Sequence, residues 1–139
     1  MAVRGSGQAA RLPQNGRGIV GILRQKDAPE LTIYFERDSN ELRPSETAKL
    51  DKVAETLSRQ PEARLVLNGY TDAVGSTDYN LMIAASRASA VKLYLVAKGA
   101  DPLRMTVVGK GARDFAASND SEEGRNLNRR VEISISGDR

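Results

Sequence analysis

From Leu81 to Gly99 the chain reads LMIAASRASAVKLYLVAKG, and no other stretch constrains the fold as much. Ile83, Ala84, Ala88, Val91, Tyr94 and Leu95 recur at helical spacing, so the segment is a helix with one apolar stripe. Lys98-Gly99 supplies its end, because glycine accepts the left-handed turn that closes helices. Such a stripe must be buried against a second layer. The continuous apolar run ARLVLNGY, ending at Tyr70, supplies a buried central strand for it. Arg87 falls inside the stripe, four residues from both Ile83 and Val91. A guanidinium placed there is partly desolvated and needs a partner.

The remaining segments fit the same two-layer plan. Pro44 opens a helix, with Leu50, Val53, Ala54 and Leu57 at helical spacing until Pro61 stops the pattern. IVGILRQ and LTIYFE read as two short strands joined by the polar KDAPE, and RMTVVG as another strand. GKGARDFAASNDS is a loop, SEEGRNLN a helical turn, and RRVEISIS an alternating last strand. The order β-α-β-α-β-β predicts an α+β two-layer sandwich with helices packed on a mixed sheet. Residues 1–18, MAVRGSGQAARLPQNGRG, lack a hydrophobic period and read as a flexible tail or linker, leaving 19–139 as one domain.

Composition excludes whole classes of chemistry. The 139 residues contain no cysteine and no histidine. That removes disulfides, thiolate nucleophiles, Ser-His-Asp and Cys-His pairs, and the usual zinc ligands, so neither a metal nor a cofactor is expected. A net charge of +3 permits an anionic partner without demanding one. Few aromatics are present to stack bases, which argues against nucleic acid. No segment approaches the roughly 20 apolar residues of a membrane span. IVGIL is too short for a signal-peptide core, so the chain reads as cytosolic or as a domain of a longer exported protein.

The stretch GYTDAVGSTDYN follows the central strand and delivers Thr71 and Asp72 to a glycine-bounded loop. Asn80 and Arg87 lie two helical turns apart and project from nearly the same face. Two readings of Asp72 and Arg87 stand. They form an internal salt bridge that ties strand end to helix, or they are held apart. In the second case Asp72 accepts an ammonium and Arg87 forks onto a carboxylate, with Thr71 and Asn80 adding neutral hydrogen bonds. The cluster GRNLNRRV places Asn128, Arg129 and Arg130 just before a strand, where alternation turns at least one of them inward. GKGAR lacks the spacing of a phosphate loop. Asp72 and Asp78 read as turn-formers rather than as a glycan-cleaving pair.

From about Leu31 to Ser136 the chain resembles the OmpA-like peptidoglycan-binding domain, shared by outer-membrane OmpA proteins, Pal lipoproteins and MotB-type flagellar stator proteins. The resemblance is carried by YFERDSNELRP, GYTDAVGSTDYN, SRASAVKLYLVAKGAD, RMTVVGKG and SNDSEEGRNLNRRVEI, in that order. It departs at Ala84, where the family often has serine, and at Lys110 and Phe115, where an aromatic and a nearby proline are common. The resemblance implies a β-α-β-α-β-β sandwich that binds the peptidoglycan stem peptide without catalysis. It implies that Asp72 and Arg87 hold the ammonium and carboxylate of diaminopimelate, with Thr71 and Asn80 in support. The family's Asn-Arg-Arg motif falls on Asn128, Arg129 and Arg130, and Arg130 is the expected pocket contributor. Periplasmic residence follows, as the soluble domain of an outer-membrane, lipoprotein or inner-membrane-anchored parent that itself touches no membrane. Stator-type members dimerise, which admits a homodimer. The alternative from the residues is a basic module for nucleic acid or another anionic partner, with Asp72–Arg87 a structural salt bridge.

Overall fold

A computed structural model describes residues 31–137. The expected strand at IVGILRQ and the expected tail at 1–18 lie outside the described residues. Strand β1 (Leu31–Tyr34) leads to helix α1 (Pro44–Arg59), strand β2 (Arg64–Tyr70) and helix α2 (Thr77–Ala97). A 3-10 turn (Pro102–Arg104), strand β3 (Met105–Gly111), helix α3 (Glu122–Asn128) and strand β4 (Arg130–Ser136) complete the chain. The sheet order is β1-β4-β2-β3. β4 is antiparallel to both β1 and β2, and β3 runs parallel to β2, so the sheet is mixed as expected. The helical turn expected at SEEGRNLN is a helix of its own.

Alternation in the strands and periodicity in the helices meet in one core. Leu65 and Leu67 of β2 and Val131 and Ile133 of β4 are almost completely buried, with Leu50 and Leu57 of α1 and Val91 and Leu95 of α2. Burying an aliphatic side chain of this size contributes roughly 1.5–3 kcal/mol. α2 begins earlier than its apolar stripe, at Thr77, because the Ser76 hydroxyl accepts from the Tyr79 backbone N–H at 3.1 Å and caps the first turn. Its other end closes at Gly99, in the left-handed region at φ 105°, as the Lys98-Gly99 pair predicted.

Three features of the fold position the site. β1, β2 and β3 run the same way, so the loops that follow them, and the start of β4, gather at one end of the sheet. α2 passes very close to the end of β2: a Cβ on Gly69 would lie 2.0 Å from the Ala84 carbonyl oxygen. That contact holds Asn80 and Arg87 over the strand end that delivers Thr71 and Asp72. Finally, GKG is not loop but strand. Gly69 pairs with Gly109 and Tyr70 with Gly111, leaving Lys110 as the extra residue of a bulge. The Thr71 N–H then donates to the Gly111 carbonyl at 3.0 Å.

Candidate functional site

A cleft opens where these loops gather, lined by Thr71, Asp72, Asn80, Arg87 and Arg129, five residues that the sequence singles out. The space it encloses, counting solvent at its open mouth, is about 260 Å³.

Asp72 is 6% exposed and held from two sides. Its Oδ1 accepts the Val74 backbone N–H at 3.0 Å, the Asx turn expected of this loop. Its Oδ2 accepts Arg129 Nη1 at 2.7 Å. The Asp72–Arg87 salt bridge, one of the two sequence readings, is therefore absent, and Asp72 pairs with Arg129 instead. Arg129 also donates through Nη2 to Glu122 at 2.7 Å and to Asn126. Burial alone would lower the Arg129 pKa, but hydrogen bonds to Glu122 and Asp72 outweigh it and leave the pKa raised.

Arg87 is 1% exposed, among the most completely buried large side chains described. Nε donates to the Ser39 carbonyl at 2.8 Å, Nη1 to the Tyr70 carbonyl at 3.2 Å and Nη2 to the Glu36 carbonyl at 3.0 Å. The guanidinium also sits over the Phe35 ring, 5.5 Å from its centroid. No carboxylate among the described residues forms an ion pair with it, so two of its five N–H donors and its full charge remain uncommitted. Burial first, and then the like charge of Arg129, push its pKa down to about 10, with Asp72 pulling the other way. It stays a cation at neutral pH. Asn80, 3% exposed, lies one face along α2 beside it.

The expectation for Arg130 is corrected. With Val131 and Ile133 facing the helices, alternation sends Arg130 to the opposite face of the sheet. There it stacks 3.9 Å from the Tyr70 ring centroid and donates to Glu132, the Asn128 carbonyl and the Asp114 carbonyl. Asn128 is also outside the cleft. Its amide accepts from Ala116 N at 2.7 Å and Ala117 N at 3.0 Å and donates to Ala117 O and Asn119, tying the loop before α3 to the end of that helix. Of the Asn-Arg-Arg motif, only Arg129 reaches the cleft. Asp78 is exposed in the first turn of α2, away from Asp72.

Val74 and Ile83 also line the cleft, as do Arg37, Asp38 and Tyr79, which had not been predicted there. The Tyr79 hydroxyl donates to Asp38 Oδ1 at 3.0 Å, bridging the loop after β1 to the first turn of α2. That hydrogen bond raises the Tyr79 pKa. Only the sheet order brings the β1 loop to this end. The signal in the sequence was the charged run ERDSNE directly after a strand. No helix among the described residues is long and apolar enough to cross a membrane.

Comparison with known proteins identifies the family and the fold. The OmpA family matches residues 34–129, well over half of the chain. Outer membrane protein A of Bordetella avium is 42% identical over 106 residues, covering 76% of this chain and 55% of that protein. The peptidoglycan-binding protein ArfA of Mycobacterium bovis is 43% identical over 103 residues, covering 74% and 32%. The peptidoglycan-associated lipoprotein of Pseudomonas aeruginosa is 38% identical over 102 residues, covering 73% and 60%. The chain thus spans less than two thirds of each of these curated relatives. Among solved structures, the peptidoglycan-associated lipoprotein of Burkholderia pseudomallei superposes with a TM-score of 0.73 at 28% identity, covering 76% of this chain and 89% of that one. The C-terminal domain of Helicobacter pylori MotB gives a TM-score of 0.70 at 27% identity, covering 76% and 83%. With its helices on a mixed sheet and its cleft at the gathered strand ends, the chain belongs to the OmpA family.

Proposed function

We propose that this domain binds the peptidoglycan stem peptide without covalent chemistry and so anchors a parent envelope protein to the cell wall. Arg87 carries this reading. A guanidinium that is almost fully buried, faces a cleft and has only neutral carbonyls for partners needs an anion. The carboxylate of diaminopimelate supplies it, forked onto the two uncommitted donors. Asp72 receives the ammonium. Its carboxylate has lone pairs to spare beyond Arg129 and Val74, and those two contacts fix its direction. Thr71 and Asn80 line the space between.

Hydrogen bonds to charged groups contribute roughly 1.5–3 kcal/mol each, so two or three of them, less the cost of ordering, give weak binding to one stem peptide. Many tethered copies facing a polymeric wall convert weak contacts into firm attachment. The names of the relatives support this reading, since two are called peptidoglycan-binding and peptidoglycan-associated. They also support a periplasmic place for the domain, as part of an outer-membrane, lipoprotein or inner-membrane-anchored parent. Two carboxylates at the cleft disfavour the phosphates of a nucleic acid.

Co-sedimentation with purified sacculi tests the proposal. Wild-type protein is expected in the pellet, and Asp72→Ala and Arg87→Ala, shown folded by circular dichroism, in the supernatant. Equal pelleting of all three proteins contradicts it.

A further inference from the structure

Arg129 meets Asp72 through one nitrogen only. A guanidinium beside a carboxylate often pairs through two parallel hydrogen bonds. Here Nη1 alone reaches Asp72, 2.7 Å from Oδ2. Nη2 is drawn off to Glu122 Oε2, also at 2.7 Å, and to Asn126. In this pose Arg129 Nε is buried and has no hydrogen-bond partner among the described residues. The guanidinium is therefore split between two carboxylates instead of forked onto one. Glu122 is itself held in place. Arg125 Nε donates to its other oxygen, Oε1, at 3.0 Å, and Arg125 Nη1 donates to the Asn119 carbonyl at 2.8 Å. The Asn119 side chain accepts the Ala73 backbone N–H at 3.2 Å, next to Asp72. Helix α3 and the loop before it thus back the Asp72 turn through both side chain and backbone.

The split decides how much of Asp72 is left for a ligand. With Arg129 on one oxygen and the Val74 N–H on the other, each oxygen keeps a lone pair. A freed Nη2 would complete the fork onto Asp72 and take one of the two. We propose that Glu122 is a positioning residue for the cleft: by holding Arg129 Nη2, it keeps Asp72 open to an ammonium. Glu122 acts through Arg129 and touches no ligand. The inference rests on the stem-peptide reading above and deepens it. The Glu122 side chain is 53% exposed, so its replacement should leave the fold intact, as circular dichroism would check.

The test uses two tripeptides. One is L-alanyl-γ-D-glutamyl-meso-diaminopimelate; the other carries 2-aminopimelate in place of diaminopimelate, which keeps the distal carboxylate and lacks its ammonium. Their dissociation constants are measured by calorimetry for wild type, Glu122→Ala and Glu122→Gln. Wild type is expected to prefer the ammonium-bearing tripeptide by about tenfold or more. Glu122→Ala should lose about three- to tenfold of that preference, with affinity for the ammonium-free tripeptide unchanged. Glu122→Gln, whose amide oxygen can still accept from Nη2, should keep most of the preference. Equal loss of affinity for both tripeptides in Glu122→Ala would mean that Glu122 only props the fold. An unchanged preference in that variant would mean that Arg129 needs no restraint. Either result overturns the positioning role while leaving stem-peptide binding intact. Equal binding of both tripeptides by wild type removes the ammonium from Asp72 and overturns the inference as well. Binding of neither by wild type overturns the stem-peptide reading and this inference with it.

Discussion

Two arginines at opposite ends of the sheet make the same kind of contact, and only one of them lines the cleft described above. Arg104, beside the start of β3, donates to the carbonyls of Ala63 at 2.8 Å, Leu57 at 3.0 Å and Gln60. Arg87, over the end of β2, also donates to three backbone carbonyls. The difference lies in what surrounds the charge. The carbonyls under Arg104 belong to the last turn of α1 and its exit, where a helix leaves acceptors unpaired and carries partial negative charge. Arg104 is also partly in water. Arg87 is 1% exposed, its carbonyls come from a loop and a strand end, and its charged neighbour Arg129 repels it. Both groups have hydrogen bonds, but only at Arg104 is the charge itself compensated.

The largest effect that separates the two ends is on binding. Arg87→Ala should weaken attachment to sacculi at least a hundredfold, about 2.7 kcal/mol, while Arg104→Ala leaves it unchanged in the same pelleting assay. Arg87→Lys should fail nearly as badly, because a single ammonium cannot hold three carbonyls and fork onto a carboxylate. Loss of Arg87 should also free the Glu36–Ser39 loop, seen as faster amide exchange there. Next is Gly69→Ala, which forces a methyl group against the Ala84 carbonyl and should lower unfolding stability by roughly 2–3 kcal/mol in urea. Full stability in that variant would mean that α2 does not approach β2 as closely as the cleft requires.

Arg104→Ala comes third. It should reduce stability by about 1–2 kcal/mol, because three α1-end carbonyls lose their donor. The smallest effect concerns acid. Glu46, in the first turn of α1, accepts the Tyr34 N–H at 2.9 Å and Lys49 at 2.9 Å, and its pKa is lowered although burial alone would raise it. A lowered folded pKa stabilises above the unfolded value and loses that contribution as pH falls through the folded one. Denaturant midpoints of wild type should therefore drop as pH falls below about 4.5, the ordinary value for this group, and Glu46→Gln should flatten that part of the decline.

Much of the fold was legible because periodicity is a local property. The stripe from Ile83 to Leu95, the run ending at Tyr70 and the proline at the start of α1 each lie within a few residues of what they specify. The extra turn at the start of α2 was not, since Thr77 to Asn80 carry no apolar period and depend on the Ser76 cap. Asp72 and Arg87 stood out because a carboxylate at a strand end and a cation in an apolar stripe break the local pattern. Their relation to each other did not follow, because Arg129 reaches Asp72 from a segment far along the chain. Alternation predicted an inward arginine near β4 but not which one, and the answer depends on Arg129 standing at the exit of α3 rather than within the strand. Arg37, Asp38 and Tyr79 were missed because the sheet order, not the local sequence, carries the β1 loop to the cleft.

The most direct test of the account follows the side-chain Nε–H signals of the two arginines by NMR while meso-diaminopimelate is added to the isotopically labelled domain. The account predicts a saturable shift of the Arg87 signal, with backbone shifts at Asp72 to Val74 and at Asn80, and no change at Arg104. Movement of Arg104 instead, or a silent Arg87 at concentrations that saturate any binding, would contradict the claim that the buried, uncompensated arginine is the anion receptor.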